Sequence, residues 1–559
     1  MKTVKDIHLQ VMWNRLLSVV EEQAQTLVRT AFGASTREAG DLSAGVFLPD
    51  GRMMAQAVTG TPGHVNSMAD SVRHFLAEFP LEAMHPGDVF ATNDPWKGTG
   101  HLNDFTFVTP VFRRGRAIAL FASTLHVVDI GGLGSGPDAT EIFHEGLYVP
   151  IVRFAARGVV DATLMRLIRA NVREPIQVEG DLHALMVCND IGARRLAAMM
   201  DEYRLEDLEA LGEHIIGRSR AAMLEAVRRW PRGTWRHTMR VDGYDHPIDL
   251  AAALTISDDG VELDFAGTSA AVARGINVPK NYTDAYSSFG VRCIIGADIP
   301  NNAGSLGVVR IAAPVNCILN AHAPYAVQSR AIVGTMLPDV VFGCLRQVRP
   351  DEVPAEGASN LWNIRLAGGQ PIAGADPAEF VRSERFTIVS FTSGGTGARP
   401  GKDGLSATSF PSGVKNTAVE IIETMAPLVF WRKEFTCDSG GAGRLRGGLG
   451  QTVEVAHAHG APMVIGATFD RIVHPARGAA GGAAGGAGSA HLASGAVLRG
   501  KGRQLVPAGD RVVLRTPGGG GIGDAAARDR AAVAEDLRNG LISERAARED
   551  YRLQPDKPS

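Results

Sequence analysis

The chain has few cysteines and no long apolar run. Its 559 residues include five cysteines, and no two of them form a CxxC pair. This excludes a dense disulfide framework and a thiolate zinc site, and it is typical of reduced thiols in a cytoplasmic protein. No run of eighteen or more apolar residues occurs, so the sequence predicts no membrane span. The N-terminus lacks the apolar core and cleavage site of a signal peptide, so we expect a cytoplasmic protein.

A basic excess is also missing. The chain carries 57 Lys and Arg residues against 60 Asp and Glu residues, for a net charge of −3. This balance argues against a large nucleic-acid footprint. A hydrophobic content of 45% is that of a globular protein. At this length a single core usually divides, so two to four domains or subdomains are expected.

Glycine is abundant, with 65 residues that often lie in clusters. Some clusters resemble nucleotide-binding motifs, but none of these motifs is complete. In GGTGARPGKDG (394–404), a Walker A loop would need glycine in place of Thr396 and Ser or Thr in place of Asp403. GGGGIG (518–523) spells GxGxxG, yet no second strand with an acidic end follows it. GAAGGAAGGAG (478–488) is compatible with a mobile loop. The chain has no GxSxG nucleophile elbow either.

Helical periodicity and antiparallel hairpins alternate in blocks. Helices are predicted at 6–31, 66–79, 161–228 and 525–552, and hairpins at 44–58 and 105–128. This order favours an α+β fold of antiparallel hairpins and sheets with packed helices, several subdomains and a helical C-terminus. We predict three regions: an N-terminal region 1–230 with the candidate site, a β- and glycine-rich region 231–525, and a helical tail 526–559.

The second hairpin brings candidate metal ligands together. It joins FTFVTPVF to AIALFASTLHVV, and a turn centred on Arg114-Gly115 gives partners whose numbers sum to about 229. His126 then lies opposite Asn103 and beside Asp104. A regular register would point Asp104 away from the histidines. A proline cannot donate to the ladder, so Pro110 predicts a bulge that re-aims this side chain.

His101, Asp104 and His126 form a mixed nitrogen and oxygen set. Such a set suits a divalent transition metal (zinc, manganese or iron) and leaves coordination positions open for water or substrate. Asp41, just before the first hairpin, is a candidate fourth ligand. The alternative is ordinary turn chemistry around GTGHLND (98–104), with hydrogen-bonded histidines.

Further candidates flank this set. The segment 127–146 carries Asp129 and Glu145 around a glycine loop, and either acid is a candidate general base. Glu141 and Glu145 are also spaced as a solvated helix face. His64 precedes a predicted helix, whose positive end would lower its pKa and keep it neutral. It is a candidate base or substrate ligand, or a structural histidine.

The chain resembles the B-type subunit of the hydantoinase B/oxoprolinase family, which is related to acetone and acetophenone carboxylase subunits. The resemblance runs in order through most of the sequence: DLSAGVFLPDG, GTPGHVNSM, NDPWKGTGHLNDFTFVTPVF, HVVDIGG, TEIFHEGLYVP, INVPKNYTDAYSSFGVRCI, IPNNAGSLGVVRIAAPVNCILNAHAPYAV, GGTGARPGKDG, AVEIIETMAPLV, CDSGGAGRLRGGLGQ and TPGGGGIGD. Many hydantoinase-type members read GGTHLPD where this chain has GTGHLND, and Tyr at Trp96. Those differences leave the substrate open.

The resemblance implies a division of labour. A separate A-type subunit binds ATP and phosphorylates the substrate oxygen, within a hetero-oligomer built on a homodimeric core. The metal ligands of the family match His101, Asp104 and His126, with Asp41 as fourth. We therefore expect an ATP-dependent hydrolase of cyclic amides such as hydantoin, N-methylhydantoin or 5-oxoproline, in which metal-bound water opens the activated ring. The alternatives are an ATP-dependent ketone carboxylase subunit and a non-catalytic scaffold for the A subunit.

Overall fold

The first seven strands form one antiparallel sheet. The computed structural model describes residues 4–369 and 385–553. The strands are β1 (Leu42–Phe47), β2 (Met53–Gln56), β3 (Val89–Thr92), β4 (Asp104–Arg113), β5 (Arg116–His126), β6 (Val152–Ala156) and β7 (Val159–Val160). Their order across the sheet is β2-β1-β5-β4-β3-β6-β7. Neighbours pair antiparallel throughout, which confirms the predicted α+β class.

Helices cover both faces of this sheet. The helices up to residue 306 are α1 (Val4–Thr30), α2 (Ala34–Arg37), α3 (Pro62–Glu78), α4 (Ala162–Asn171), α5 (Pro175–Glu202), α6 (Glu209–Arg228), α7 (Lys280–Ile294) and α8 (Ala303–Leu306). Val46 and Phe121 pack with α1 and α5 on one face, whereas Phe47 and Leu120 pack with α3 on the other. Because both faces are buried, the central strands read as continuous apolar runs. No helix among the described residues is long and apolar enough to cross a membrane.

The remaining strands of the described residues form three further four-stranded sheets. The strands are β8 (Gly233–Val241), β9 (Ile248–Ser257), β10 (Gly260–Asp264), β11 (Val309–Ala312), β12 (Trp362–Gly368), β13 (Phe386–Thr392), β14 (Leu428–Phe435), β15 (Gln451–His457), β16 (Met463–Thr468), β17 (Ser489–Leu492), β18 (Lys501–Val506) and β19 (Arg511–Arg515). The helices are α9 (Ala331–Gly334), α10 (Leu337–Leu345), α11 (Val419–Met425), α12 (Arg530–Arg538) and α13 (Glu544–Glu549). One sheet has the order β11-β10-β9-β8. Sheets β13-β12-β16-β18 and β14-β15-β19-β17 share one apolar core.

The described residues divide into two units. The first comprises Met1–Ser135, Ala139–Thr234 and Ala253–Arg330, and the second comprises Gly136–Asp138, Trp235–Ala252 and Ala331–Ser559. The chain enters the second unit first at Gly136–Asp138 and again at Trp235, and the predicted boundary near 230 lies close to this second entry. The chain then returns to the first unit after residue 252, and the predicted tail clusters with the second unit.

A bulge shifts the register of the β4–β5 hairpin. Next to the turn, Phe112 pairs with Ala117, as a sum of 229 predicts, but the register shifts between Val111 and Phe112. Beyond the bulge Asp104 lies directly opposite His126, so the predicted pairing of His126 with Asn103 is wrong. The one-residue slip reverses the faces and brings Asp104 to the histidines.

The glycine clusters of the second unit bring backbone segments into close contact with one another. Gly448 donates to the carbonyl of Thr396, and Gly519 donates to the carbonyl of Gly448. A Cβ on Gly447 would lie 1.9 Å from the carbonyl oxygen of Gly519. The segment 478–488 joins the same network, since Gly485 donates to the carbonyl of Ala476. It is packed rather than the mobile loop that its composition allowed.

Replacement of Gly447 by Ala tests this packing. We expect Gly447→Ala to destabilise the second unit by about 3 kcal/mol, because the added methyl group collides with backbone that cannot rotate away. Thermal unfolding followed by circular dichroism measures the loss. Gly217→Ala is the control, since a Cβ there meets nothing within 4 Å. An unchanged melting temperature for Gly447→Ala would contradict the contact.

Candidate metal centre

Three ligand atoms converge at the open end of the β4–β5 hairpin. His101 Nε2 lies 2.7 Å from Asp104 Oδ1, and His126 Nδ1 lies 3.1 Å from each of those two atoms. All three side chains are buried, Asp104 completely. His101 comes from the turn before β4, Asp104 begins β4, and His126 ends β5. The predicted trio is therefore brought together from residues 25 positions apart in sequence.

The tautomer of His101 is fixed by a backbone carbonyl. His101 Nδ1 lies 2.9 Å from the carbonyl oxygen of Gln328, and since a carbonyl only accepts, Nδ1 carries the proton. Burial, then the nearby charge of Arg330, lowers the pKa of His101 to about 3. In the neutral ring Nε2 has no proton and directs its lone pair at the carboxylate of Asp104. Two acceptors 2.7 Å apart repel each other, so a cation placed between them would stabilise the pair.

A divalent metal fits this donor set. Ligands at bond lengths of about 2.1 Å lie about 3.0 to 3.4 Å apart in octahedral or tetrahedral geometry. The observed separations of 2.7, 3.1 and 3.1 Å lie within a few tenths of an ångström of that range. A histidine that ligates a metal usually donates its other N–H to a carbonyl or a carboxylate, as His101 does here.

The second oxygen of Asp104 is held by three donors. Oδ2 lies 2.6 Å from Arg330 Nη2, 2.9 Å from His64 Nε2 and 3.0 Å from the hydroxyl of Thr99. Burial alone would raise the pKa of Asp104, but the interactions with His101, His64 and Arg330 outweigh it and hold the pKa well below its usual range. Asp104 is therefore a carboxylate with one oxygen neutralised and the other available.

His64 lies between two carboxylates. Its Nε2 contacts Asp104, and its Nδ1 lies 3.5 Å from Asp41 Oδ1. Burial by itself would lower the pKa of His64, but Asp104 and Asp41 together raise it. The expected lowering by the helix end is therefore wrong. The helix α3 also begins earlier than predicted, at Pro62 with Thr61 as its cap, so His64 lies in its first turn. Asp41 is placed against His64 and is not one of the three converging ligands.

The two acids of the glycine loop are placed differently. Glu145 is buried, and its Oε1 accepts from the backbone N–H of Gln328 at 2.7 Å. Burial raises the pKa of Glu145 to about 8. Asp129 instead accepts two hydrogen bonds from Arg173. Its Oδ1 lies 2.6 Å from Arg173 Nη1, and its Oδ2 accepts from the backbone N–H of Arg173. Asp129 therefore fixes the start of α5, and its predicted role as a base has no contact to support it.

Sequence reasoning missed the segment that completes the site. Arg330 binds Asp104, lies 4.1 Å above the ring of Tyr282 and donates to the carbonyl of Thr99. Gly100 has φ +103°, and a Cβ there would lie 2.5 Å from Arg330 Nε. The glycine of GTGHLND thus makes room for this arginine. The only sequence signal was that Gln328 directly follows the segment ending in APYAV.

The fold and the site define an α+β protein with a candidate centre of two histidines and one carboxylate. The family model described as hydantoinase B/oxoprolinase matches residues 5–525, and the chain belongs to that family. Caprolactamase subunit beta of Pseudomonas jessenii is 28% identical over 588 residues, covering 99% of this chain and 96% of that protein. The crystal structure of ATP-dependent caprolactamase from the same organism matches with a TM-score of 0.87 at 25% identity, covering 99% of this chain and 97% of the other. An acetone carboxylase structure shares the fold, with a TM-score of 0.85 at 19% identity over 98% of this chain and 79% of the other.

The raised pKa of Glu145 predicts a pH dependence of stability. Between pH 4.5, the ordinary pKa of a glutamate, and about pH 8, Glu145 keeps its proton in the folded state and releases it in the unfolded state. The free energy of unfolding therefore falls as pH rises through this range. The variant Glu145→Gln lacks this ionisable group, so it does not lose stability in this way as pH rises. We expect the melting temperature of the metal-free variant to gain about 2 °C or more on wild type between pH 5 and pH 8. A constant difference across this range would contradict a buried neutral carboxyl.

Proposed function

We propose that this chain is the B-type subunit of an ATP-dependent enzyme that hydrolyses a cyclic amide. Candidate rings are hydantoin, N-methylhydantoin, 5-oxoproline and other lactams. Its support is the family membership and the likeness to a caprolactamase subunit over nearly the full length of both chains. An A-type partner subunit would bind ATP and phosphorylate the amide oxygen.

One observation carries the proposal: His101 Nε2 faces Asp104 Oδ1 at 2.7 Å, while its Nδ1 lies 2.9 Å from the carbonyl oxygen of Gln328. With a neutral His101 this arrangement is unfavourable for a scaffold, because two buried acceptors face each other. It is favourable around a divalent metal with His126 as the third ligand. When bound there, zinc, manganese or iron supplies Lewis-acid chemistry to a hydrolytic reaction.

The charges around the centre favour an anionic substrate. The two carboxylates Asp41 and Asp104 lie around His64, and Arg330 binds Asp104. A divalent metal then leaves the centre with an excess of positive charge. An amide oxygen that carries a phosphoryl group is therefore attracted to this site more strongly than the neutral ring.

His64 is placed to supply the proton that ring opening requires. Cleavage of the ring C–N bond leaves a nitrogen that must take up a proton. His64 lies between Asp104, at 2.9 Å, and Asp41, at 3.5 Å, and Asp41 is the more exposed of the two carboxylates. Asp41 is thus the group through which the proton of His64 reaches the ring nitrogen.

Reconstitution with an A-type subunit tests the function. With ATP and each candidate ring, we expect at least one ring to gain the mass of one water, with ADP formed in step. Isotope-labelled bicarbonate is present in a parallel reaction. Incorporation of the label into product would overturn hydrolysis in favour of the ketone carboxylase. A complex that turns over no ring or ketone while binding the partner would favour the scaffold.

Replacement of His64 separates proton supply from metal binding. We expect His64→Gln to lower ring hydrolysis by about 100-fold, the typical contribution of a positioned acid or base. Its metal content stays that of wild type, because His64 nitrogens face Asp104 Oδ2 and Asp41 rather than the converging atoms. His183→Gln is the control, since that ring lies beside Glu179, is partly exposed and is not part of the site. Equal activity of His64→Gln and His183→Gln would refute the role.

A further inference from the structure

A chain of three contacts links a buried acid to the candidate centre. Glu145 Oε1 accepts from the backbone N–H of Gln328 at 2.7 Å. The carbonyl of the same residue accepts from His101 Nδ1 at 2.9 Å, and His101 Nε2 faces Asp104 at 2.7 Å. Glu145 thus hydrogen-bonds the backbone of Gln328, and the same backbone orients His101.

We infer that Glu145 is a positioning residue that holds His101 in its ligating tautomer through the backbone of Gln328. This inference rests on the proposed metal site. It assigns Glu145 a role that differs from the general base expected from its place after the glycine loop. A base must reach the proton that it removes, whereas the contacts of Glu145 reach the ligand through another residue.

The surroundings of Glu145 fit a fixed support. Its side chain is buried, and its Oε2 has no hydrogen-bond partner among the described residues. The loop that carries it is closed by backbone bonds, from Leu133 to the carbonyl of His144 and from Leu147 to the carbonyl of Ile130. A carboxyl group enclosed in this way keeps one orientation, and it fixes the position of the Gln328 backbone that it binds.

The segment held by Glu145 serves two ligands at once. Gln328 positions His101 by its carbonyl, and its side-chain amide donates to Asn103 Oδ1, on the residue before Asp104. Two residues further on, Arg330 binds Asp104 Oδ2 at 2.6 Å. Movement of this segment would therefore disturb both His101 and Asp104. Loss of a group that orients a ligand typically weakens metal binding by about 10- to 100-fold.

Cobalt(II) binding to the full chain tests the inference with three variants. Glu145→Leu removes the acceptor, and we expect its Kd for Co²⁺ to rise about tenfold or more, with a changed visible absorption spectrum of the bound ion. Glu145→Gln keeps a carbonyl acceptor of the same length, so its Kd and spectrum match wild type. Asp88→Leu is the matched control: Asp88 is also buried and accepts backbone N–H bonds, from His85 and Arg157, outside the site.

Activity in the reconstituted complex adds a second readout. Glu145→Gln retains turnover within about threefold if the residue only positions, whereas a general base would lose about 100-fold or more. If Glu145→Leu does not fold by circular dichroism, Glu145→Met takes its place, with an unbranched side chain of similar length.

The outcomes separate two failures. Wild type that binds no Co²⁺ overturns the proposed metal site and the inference with it. Wild type that binds Co²⁺ while Glu145→Leu binds it equally well, or while Asp88→Leu loses it as strongly, overturns the inference alone. Loss of turnover in Glu145→Gln with intact Co²⁺ binding returns Glu145 to the role of base.

Discussion

The burial of the Asp104 carboxylate is the constraint on which the site depends. A fully buried charge is costly unless other groups compensate it. Here one oxygen is compensated by Arg330, His64 and Thr99. The other faces His101 and His126, and His101 offers it a lone pair and no proton. The cation of the proposed metal site would complete the compensation on this second side.

The fold supplies these partners from distant parts of the sequence. The bulge in β4 places Asp104 opposite His126, and helix α3 presents His64 from its first turn. Arg330 arrives from a segment more than two hundred residues later in the chain. Each contribution is rigid, because the sheet is covered by helices on both faces. This rigidity is what a site with ligand atoms about 3 Å apart requires.

Local pattern was enough to predict part of this arrangement. The apolar runs on either side of Arg114-Gly115 predict the hairpin, and a hairpin must bring His126 to the neighbourhood of His101 and Asp104. Pro110 predicts a bulge, but the register is decided by the place of the shift, between Val111 and Phe112, which no local signal gives. The pKa of His64 depends on Asp104 and Asp41 as they meet in three dimensions. Neither that meeting nor the arrival of Gln328 and Arg330 leaves a local signal in the sequence.

The most direct test of a cation at Asp104 is elemental analysis of the purified chain. The native protein is compared with a His101→Ala, His126→Ala double variant of matching circular dichroism, and with His183→Ala as the control. The account predicts about one equivalent of zinc, manganese or iron in the native chain and in the control, and loss of the metal from the folded double variant. Metal absent from the native chain after reconstitution, or retained by the double variant, would contradict it.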